Sequence, residues 1–211
     1  MVIKQNMNRI IPLFAALAIV AASCTEEEKA KVTVDPTSSA FDYHGGTVPM
    51  EVTSNAPWTA SCDYEEVEIH PSSGDASASV TVVVPESTYK ETQAIRITFT
   101  AKKDTSYTST AKHVITLEAK PFVELSSTSG YVSPDGGGLR ISLTSNQKWS
   151  ATAEPAIADL DISPISGTYN ADLAISLGAN DSGSMRSSLI TFALTDYPDV
   201  KAVYTLCQNS R

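Results

Sequence analysis

Three tyrosines stand beside acids in this sequence, a combination suited to a neutral saccharide. Tyr64 lies among Asp63, Glu65 and Glu66, Tyr197 lies in Thr195-Asp196-Tyr197-Pro198-Asp199, and Tyr107 lies within Lys102–Lys112. A planar ring accepts the C–H face of a sugar, while carboxylates such as Asp196 and Asp199 accept its hydroxyls. The competing reading is that each ring shields a sheet edge. Other chemistry is thinly represented. There is no Ser-His-Asp order, Gly-x-Ser-x-Gly elbow or phosphate loop, so no enzyme is expected. His44, His70 and His113 fall in separate segments. Asp159 with Asp161, and Glu66 with Glu68, read as acids sharing a strand face. Without a third ligand and a glycine they read as edge charges that deter strand pairing, not as a calcium site. No metal and no cofactor are expected.

One thiol has a distinct setting. Cys24 follows Ala21-Ala22-Ser23, at the end of an uncharged run from Ile10 to Ala22 that is apolar apart from Pro12, and the run is preceded by Lys4 and Arg9. A basic head, a short apolar run and small residues form a secretory signal. Thirteen helical residues cover about 20 Å, short of the roughly 30 Å hydrocarbon layer, so residues 1–23 read as a cleaved signal and not as a membrane helix. Ala21-Ala22-Ser23-Cys24 resembles the lipobox of bacterial lipoproteins, with Ala21 at the usual Leu position. That resemblance implies lipidation of Cys24 and a membrane anchor. Residues 24–30, with Glu26-Glu27-Glu28, read as an acidic tether. An acidic run after the lipidated Cys also resembles the export signal of outer-membrane lipoproteins displayed at the cell surface; the other placement faces the periplasm.

Composition narrows the classes further. The 211 residues are 42% hydrophobic and 18% charged, enough for a buried core. Net charge is -9, and losing Lys4 and Arg9 with the signal lowers it by two, to -11. No basic field exists for phosphate backbones, so no nucleic-acid partner is expected. Cys62 and Cys207 fall in separate domains and could meet only if the domains packed closely, so no intrachain disulfide is expected.

The rest of the chain repeats itself. Ser54-Asn55-x-x-Trp58 returns as Ser145-Asn146-x-x-Trp149, and Gly45-Gly46 as Gly136-Gly137, ninety-one positions later. Pro71-x-x-Gly74 returns as Pro164-x-x-Gly167, and Ile97-Thr98-Phe99 as Ile190-Thr191-Phe192, at ninety-three. Thr116-Leu117 matches Thr205-Leu206 at eighty-nine, which makes the Lys102–Lys112 loop about four residues longer than its counterpart. Within each copy apolar residues alternate: Val48, Met50, Val52; Val80, Val82, Val84; Ile95, Ile97, Phe99; then Leu139, Ile141, Leu143; Leu173, Ile175, Leu177; Ile190, Phe192, Leu194. That period predicts half-buried antiparallel strands. About seven strands in each ~90-residue copy predict two tandem immunoglobulin-like β-sandwich domains, residues 31–120 and 121–211, an all-β chain. Trp58 and Trp149, at the same repeat position on an apolar face, read as structural core and not as stacking platforms. Asn55 and Asn146 read as turn formers tolerant of positive φ, and Gly136-Gly137-Gly138 as a hairpin turn.

The paired Gly, the Thr-Ser-Asn-x-x-Trp strand start, Pro-x-x-Gly and the closing Thr-x-x-Gln ending at Gln208 together resemble the BACON domain, a carbohydrate-associated module, over residues 31–120 and 121–211. Asn180 and Arg186 fall where that family often has Asn and Arg. The first copy has Ser87 and Ala119 at its Asn and Gln positions, and Glu66 and Asp159 stand where the family has a second Trp. The resemblance implies a non-catalytic surface protein that contacts polysaccharide or mucin glycan. The missing tryptophans favour the rival, a structural spacer or adhesin subunit that engages a surface protein complex and no sugar. With Glu118–Phe122 as the linker, the domains are expected to form a semi-rigid rod of about 65 Å.

Overall fold

The structure, a computed structural model, describes residues 28–103 and 107–211. Cys24, the signal segment 1–23 and the start of the acidic tether lie outside the described residues.

The first half holds β1 (Val32–Asp35), β2 (Ser38–Phe41), β3 (Gly46–Ser54), β4 (Trp58–Cys62), β5 (Glu68–His70), β6 (Ser73–Gly74), β7 (Ala78–Val84), β8 (Gln93–Lys102) and β9 (Thr108–Leu117). The second holds β10 (Val123–Leu125), β11 (Ser129–Val132), β12 (Gly137–Ser145), β13 (Trp149–Glu154), β14 (Asp161–Ser163), β15 (Ser166–Gly167), β16 (Ala171–Leu177), β17 (Arg186–Leu194) and β18 (Lys201–Gln208). Each half makes one four-stranded sheet, ordered β1-β3-β7-β5 or β10-β12-β16-β14. The facing five-stranded sheet is ordered β2-β9-β8-β4-β6 or β11-β18-β17-β13-β15. The chain is thus all-β, two tandem sandwiches of one topology, as the sequence predicts. Nine strands form where about seven were expected, because β5, β6 and their counterparts are too short to show alternation. One pairing in each half is parallel, β2 with β9 and β11 with β18, where antiparallel strands were expected.

Alternation supplies the cores. Val80, Val82, Ile95, Ile97 and Phe99 are buried in the first, and Leu143, Leu173, Ile175, Ile190 and Phe192 in the second. Each indole fills the same place in its own half. Trp58 and Trp149 are 2% and 1% exposed, each with its ring centroid 5.8 Å from Phe99 or Phe192. Trp58 Nε1 donates to the Ala76 carbonyl and Trp149 Nε1 to that of Tyr169, both at 2.7 Å, so the one polar atom of each buried ring is satisfied. The glycine of each Pro-x-x-Gly lies against the indole: a Cβ on Gly74 or Gly167 would come within 3.0 or 2.8 Å of ring atoms. That close approach gives the motif its glycine.

Two sequence expectations about turns change. Asn55 and Asn146 are not in a left-handed conformation, since among the described residues only glycines have positive φ. Instead each amide clamps chain more than twenty residues earlier: Asn55 Oδ1 accepts from Lys31 N and Asn146 Oδ1 from Phe122 N. Their Nδ2 groups donate to the Lys29 and Lys120 carbonyls. Gly136-Gly137 does not close a hairpin, because β11 and β12 belong to different sheets. It carries the chain across the sandwich, with Gly136 at φ 92° and Gly45 at φ 72° in the equivalent corner, where a side chain would be strained.

The register of the closing strand also changes. Ile97 pairs with His113 and Ile190 with Tyr204, while Gln93 pairs with Leu117 and Arg186 with Gln208. Leu117, not Ala119, therefore stands at the Gln208 position, and Thr116-Leu117 matches Cys207-Gln208 at ninety-one. The β8–β9 hairpin is then two residues longer than the β17–β18 hairpin, not four, and Thr108–Lys112 is strand. A slip of two keeps every side chain on its own face, so alternation does not detect it.

Candidate functional site

The end of the second sandwich carries its densest polar network. The Arg186 guanidinium grips the Asp159 carboxylate at 2.8 and 2.9 Å, and Arg186 Nε donates to Gln208 Oε1 at 2.8 Å. Gln208, fully buried, turns its Nε2 to the carbonyls of Ser133 and Gly178 at 2.7 and 2.9 Å. Asn180, also buried, donates to the Ser184 carbonyl and accepts from the Ser182 hydroxyl at 2.7 Å. Asn180, Arg186 and Gln208 tie together the Pro134 corner, the β16–β17 loop and β18. Each polar atom is occupied by the protein itself, as burial requires. Asp159 does not share a strand face with Asp161: it sits in the turn before β14, where the Arg186 hydrogen bond holds its pKa below the usual carboxylate value. Glu66 likewise precedes β5 and does not lie on it with Glu68.

The proposed glycan contacts are scattered. Tyr64 is half-buried against the first core, its ring centroid 5.9 Å from that of Tyr89, and its buried hydroxyl has no well-formed hydrogen bond among the described residues. Burial, then the nearby Glu66 carboxylate and Tyr89, push its pKa up. Tyr107 packs on the same core. Tyr197 packs on the second core and meets Tyr43 of the first domain edge-on, with centroids 5.7 Å apart. Its pKa is raised by burial and then by Tyr43, Glu118, Asp42 and Asp196. Asp196 and Asp199 are exposed on either side of it. Tyr64, Tyr107 and Tyr197 are not gathered on one face. Cys62 is half-buried beside the first core, and burial raises its thiol pKa.

The Tyr43–Tyr197 contact belongs to a junction between the sandwiches. Lys120 Nζ pairs with Glu86 at 2.8 Å, and Lys90 Nζ pairs with Glu124 at 2.7 Å while lying 4.9 Å over the Phe122 ring. Lys120 N donates to the Tyr89 carbonyl at 2.8 Å. The hydrogen bond and charge of Lys120 lower the pKa of Glu86.

Among the described residues, the aromatic rings most open to solvent are two that the sequence does not single out: Tyr131 and Tyr169, 71% and 63% exposed. Tyr131 lies on the outer face of the five-stranded sheet, opposite Cys207 in the parallel register. Leu189 and Val203 are exposed on that same face, beside Thr205 and Thr191. At the corresponding places the first domain has Ala40, Arg96 and Lys112. Alternation within Gly130-Tyr131-Val132 would have found this ring, since Val132 points inward. Among the described residues no cluster of His, Cys, Asp and Glu is placed to hold a metal ion, and no helix is long and apolar enough to cross a membrane.

No family model matches this chain, and no curated protein matches it. Solved structures do. The protocadherin γB4 extracellular domain aligns over 85% of this chain and 32% of its own, with a TM-score of 0.52 and 9% identity. The protocadherin γB7 EC3–6 cis-dimer structure aligns over 88% of this chain and 50% of its own, with a TM-score of 0.52 and 14% identity. A Bacteroides ovatus GH5 xyloglucanase in complex with a heptasaccharide aligns over 42% of this chain and 19% of its own, with a TM-score of 0.38 and 15% identity. The chain thus spans half or less of each of these structures. The two protocadherin likenesses show the fold: tandem immunoglobulin-like β-sandwiches.

Proposed function

We propose that this chain is a non-catalytic lipoprotein of the cell surface, anchored in the outer membrane through lipidated Cys24, whose two BACON-like sandwiches act as a spacer presenting a protein-contact surface. The observation that carries this reading is the use made of Tyr64, Tyr107 and Tyr197. All three rings lie against a hydrophobic core, and that of Tyr197 also meets Tyr43 across the domain junction. Rings engaged in packing do not offer a sugar their faces. Two ion pairs and the Tyr43–Tyr197 contact at the junction suit a spacer that holds its orientation. Display at the cell surface, with the periplasmic side as the other placement, follows from the acids after Cys24.

A second reading, glycan or mucin binding, keeps one specific support. Tyr131, Leu189 and Val203 form an exposed, uncharged row flanked by threonine hydroxyls, a composition that suits a neutral polysaccharide. Affinity gel electrophoresis against plant polysaccharides and mucin decides between the two. Unchanged mobility across the panel is expected. Retardation that Tyr131→Ala abolishes would replace the spacer reading with the glycan one. Labelling of intact cells with radioactive palmitate, lost in Cys24→Ala, tests the anchor separately.

A further inference from the structure

The second sandwich has an opening on the side where β13 and β14, strands of different sheets, diverge. A recess of about 310 Å³ lies there, lined by Ala151, Ala153, Ile157 and Ile162, with Ile165 and Asp161 also contributing. Ile165 is 59% exposed. The first domain carries larger residues at two of these places, Cys62 for Ala153 and Tyr64 for Ile157, and both pack against its core. Exchange of a thiol for a methyl group and of a phenol for a butyl group makes room for the apolar hollow of the second domain.

Unpaired backbone runs beside this hollow. β13 pairs with β17 along its whole length, from Trp149 to Glu154. On its other side β15 pairs only with Trp149 and Ser150, and Ala151 N donates to the Ile165 carbonyl at 2.8 Å. Residues two apart on a strand turn their N–H and C=O groups the same way. The Ala153 main chain therefore points to the β15 side, where no strand among the described residues pairs with it. An apolar recess next to a free strand edge is how extended peptides are held: main-chain hydrogen bonds give affinity, and the recess selects one side chain. Asp161, at the rim of the recess in a chain of net charge -9, favours a basic neighbour.

We infer that this site binds an extended peptide segment of a partner protein, which adds to the β13 edge at Ala153 and places one large apolar side chain in the recess, with a lysine or arginine nearby. The inference rests on the protein-contact half of the proposed function and names the kind of partner. A saccharide fits less well, because the walls are aliphatic and Asp161 is the one charged group among the lining residues.

The test uses the purified protein and the peptides acetyl-Lys-Thr-X-Thr-Lys-amide, with X as Phe, Leu or Ala, followed by amide NMR. The Phe and Leu peptides are expected to shift Ala153, Ile157 and Ile162, to slow exchange of the Ala153 amide, and to bind about tenfold or more tightly than the Ala peptide. Ala156→Trp, at an exposed position lining the recess, should abolish these shifts while leaving the rest of the spectrum in place. Asp161→Lys should weaken binding of the same peptides severalfold. Equal affinity for all three peptides, shifts centred on Tyr131, or no shifts at millimolar peptide would overturn the inference. None of those results touches the spacer reading, which stands or falls on polysaccharide retardation.

Discussion

Gly130 and Tyr204 fit each other: a Cβ on Gly130 would overlap the Tyr204 hydroxyl. In the first domain the same two places hold Ser39 and His113, and there Ser39 Oγ lies 2.9 Å from His113 Nε2. His113 is fully buried, and its Nδ1 lies 2.8 Å from the Pro36 carbonyl. A carbonyl only accepts, so Nδ1 carries a proton and donates to it; in the neutral ring Nε2 then accepts from Ser39. The two domains thus solve one packing problem twice, with a small residue opposite a large phenol or with a serine opposite an imidazole.

The solutions should be exchangeable only as pairs. Gly130→Ser alone should destabilise the second domain by about 1–3 kcal/mol through overpacking. Gly130→Ser with Tyr204→His should recover part of that loss. Urea midpoints of the four proteins in the cycle measure the coupling. Additive effects would show that the two residues do not act as a pair.

The glycines under the indoles make a second prediction. Gly167→Ala places a methyl carbon 2.8 Å from the Trp149 ring. A rigid core relieves such a contact only by shifting the ring or the β15 backbone, at about 1–3 kcal/mol. Emptying the site by Trp149→Ala should cost more, about 3–5 kcal/mol. Scanning calorimetry measures both losses, since it needs no indole in the second domain as a reporter. Wild-type stability in Gly167→Ala would show that the motif glycine has another purpose.

Much of this packing was legible in the residues, and the reason is periodicity. Val80-Val82-Val84 and Ile190-Phe192-Leu194 announce which face is buried because side chains alternate along any strand. Pairing partners are not written in that period. The parallel contact of Ser38–Phe41 with β9 joins residues about seventy-six apart, and the closing strand could slide by two without changing a single inward residue. The tyrosines were harder for the same reason. Tyr64 and Tyr197 sit in turns, where no alternation exists to say how deep a ring lies, whereas Tyr131 sits on a strand and its outward position was there to be read.

The ion pair between Arg186 and Asp159 gives a pH dependence with a definite sign. Asp159 has its folded pKa lowered by the Arg186 hydrogen bond. A carboxylate with a depressed folded pKa adds stability above its unfolded value, and that stability is lost as pH falls through the folded value. Arg186→Gln should therefore lower the midpoint of the second domain at neutral pH. The gap from wild type should narrow as the solution is taken below the ordinary carboxylate range. Scanning calorimetry across that range reads both curves; a gap independent of pH would assign the loss to the Gln208 contact of Arg186 instead.

At the junction, the edge-on contact of Tyr43 with Tyr197 contributes about 0.5–1.5 kcal/mol beyond burial, the usual worth of an aromatic pair. The exposed ion pairs Lys90–Glu124 and Lys120–Glu86 add little singly. Tyr197→Ala should for that reason loosen the angle between the sandwiches more than Lys120→Ala does. Small-angle scattering should show a broader distribution of interdomain distances for Tyr197→Ala, together with an unchanged unfolding transition for the first domain, whose core does not include that ring. A distance distribution identical to wild type would mean that the short linker, and not the tyrosine pair, sets the geometry of the spacer.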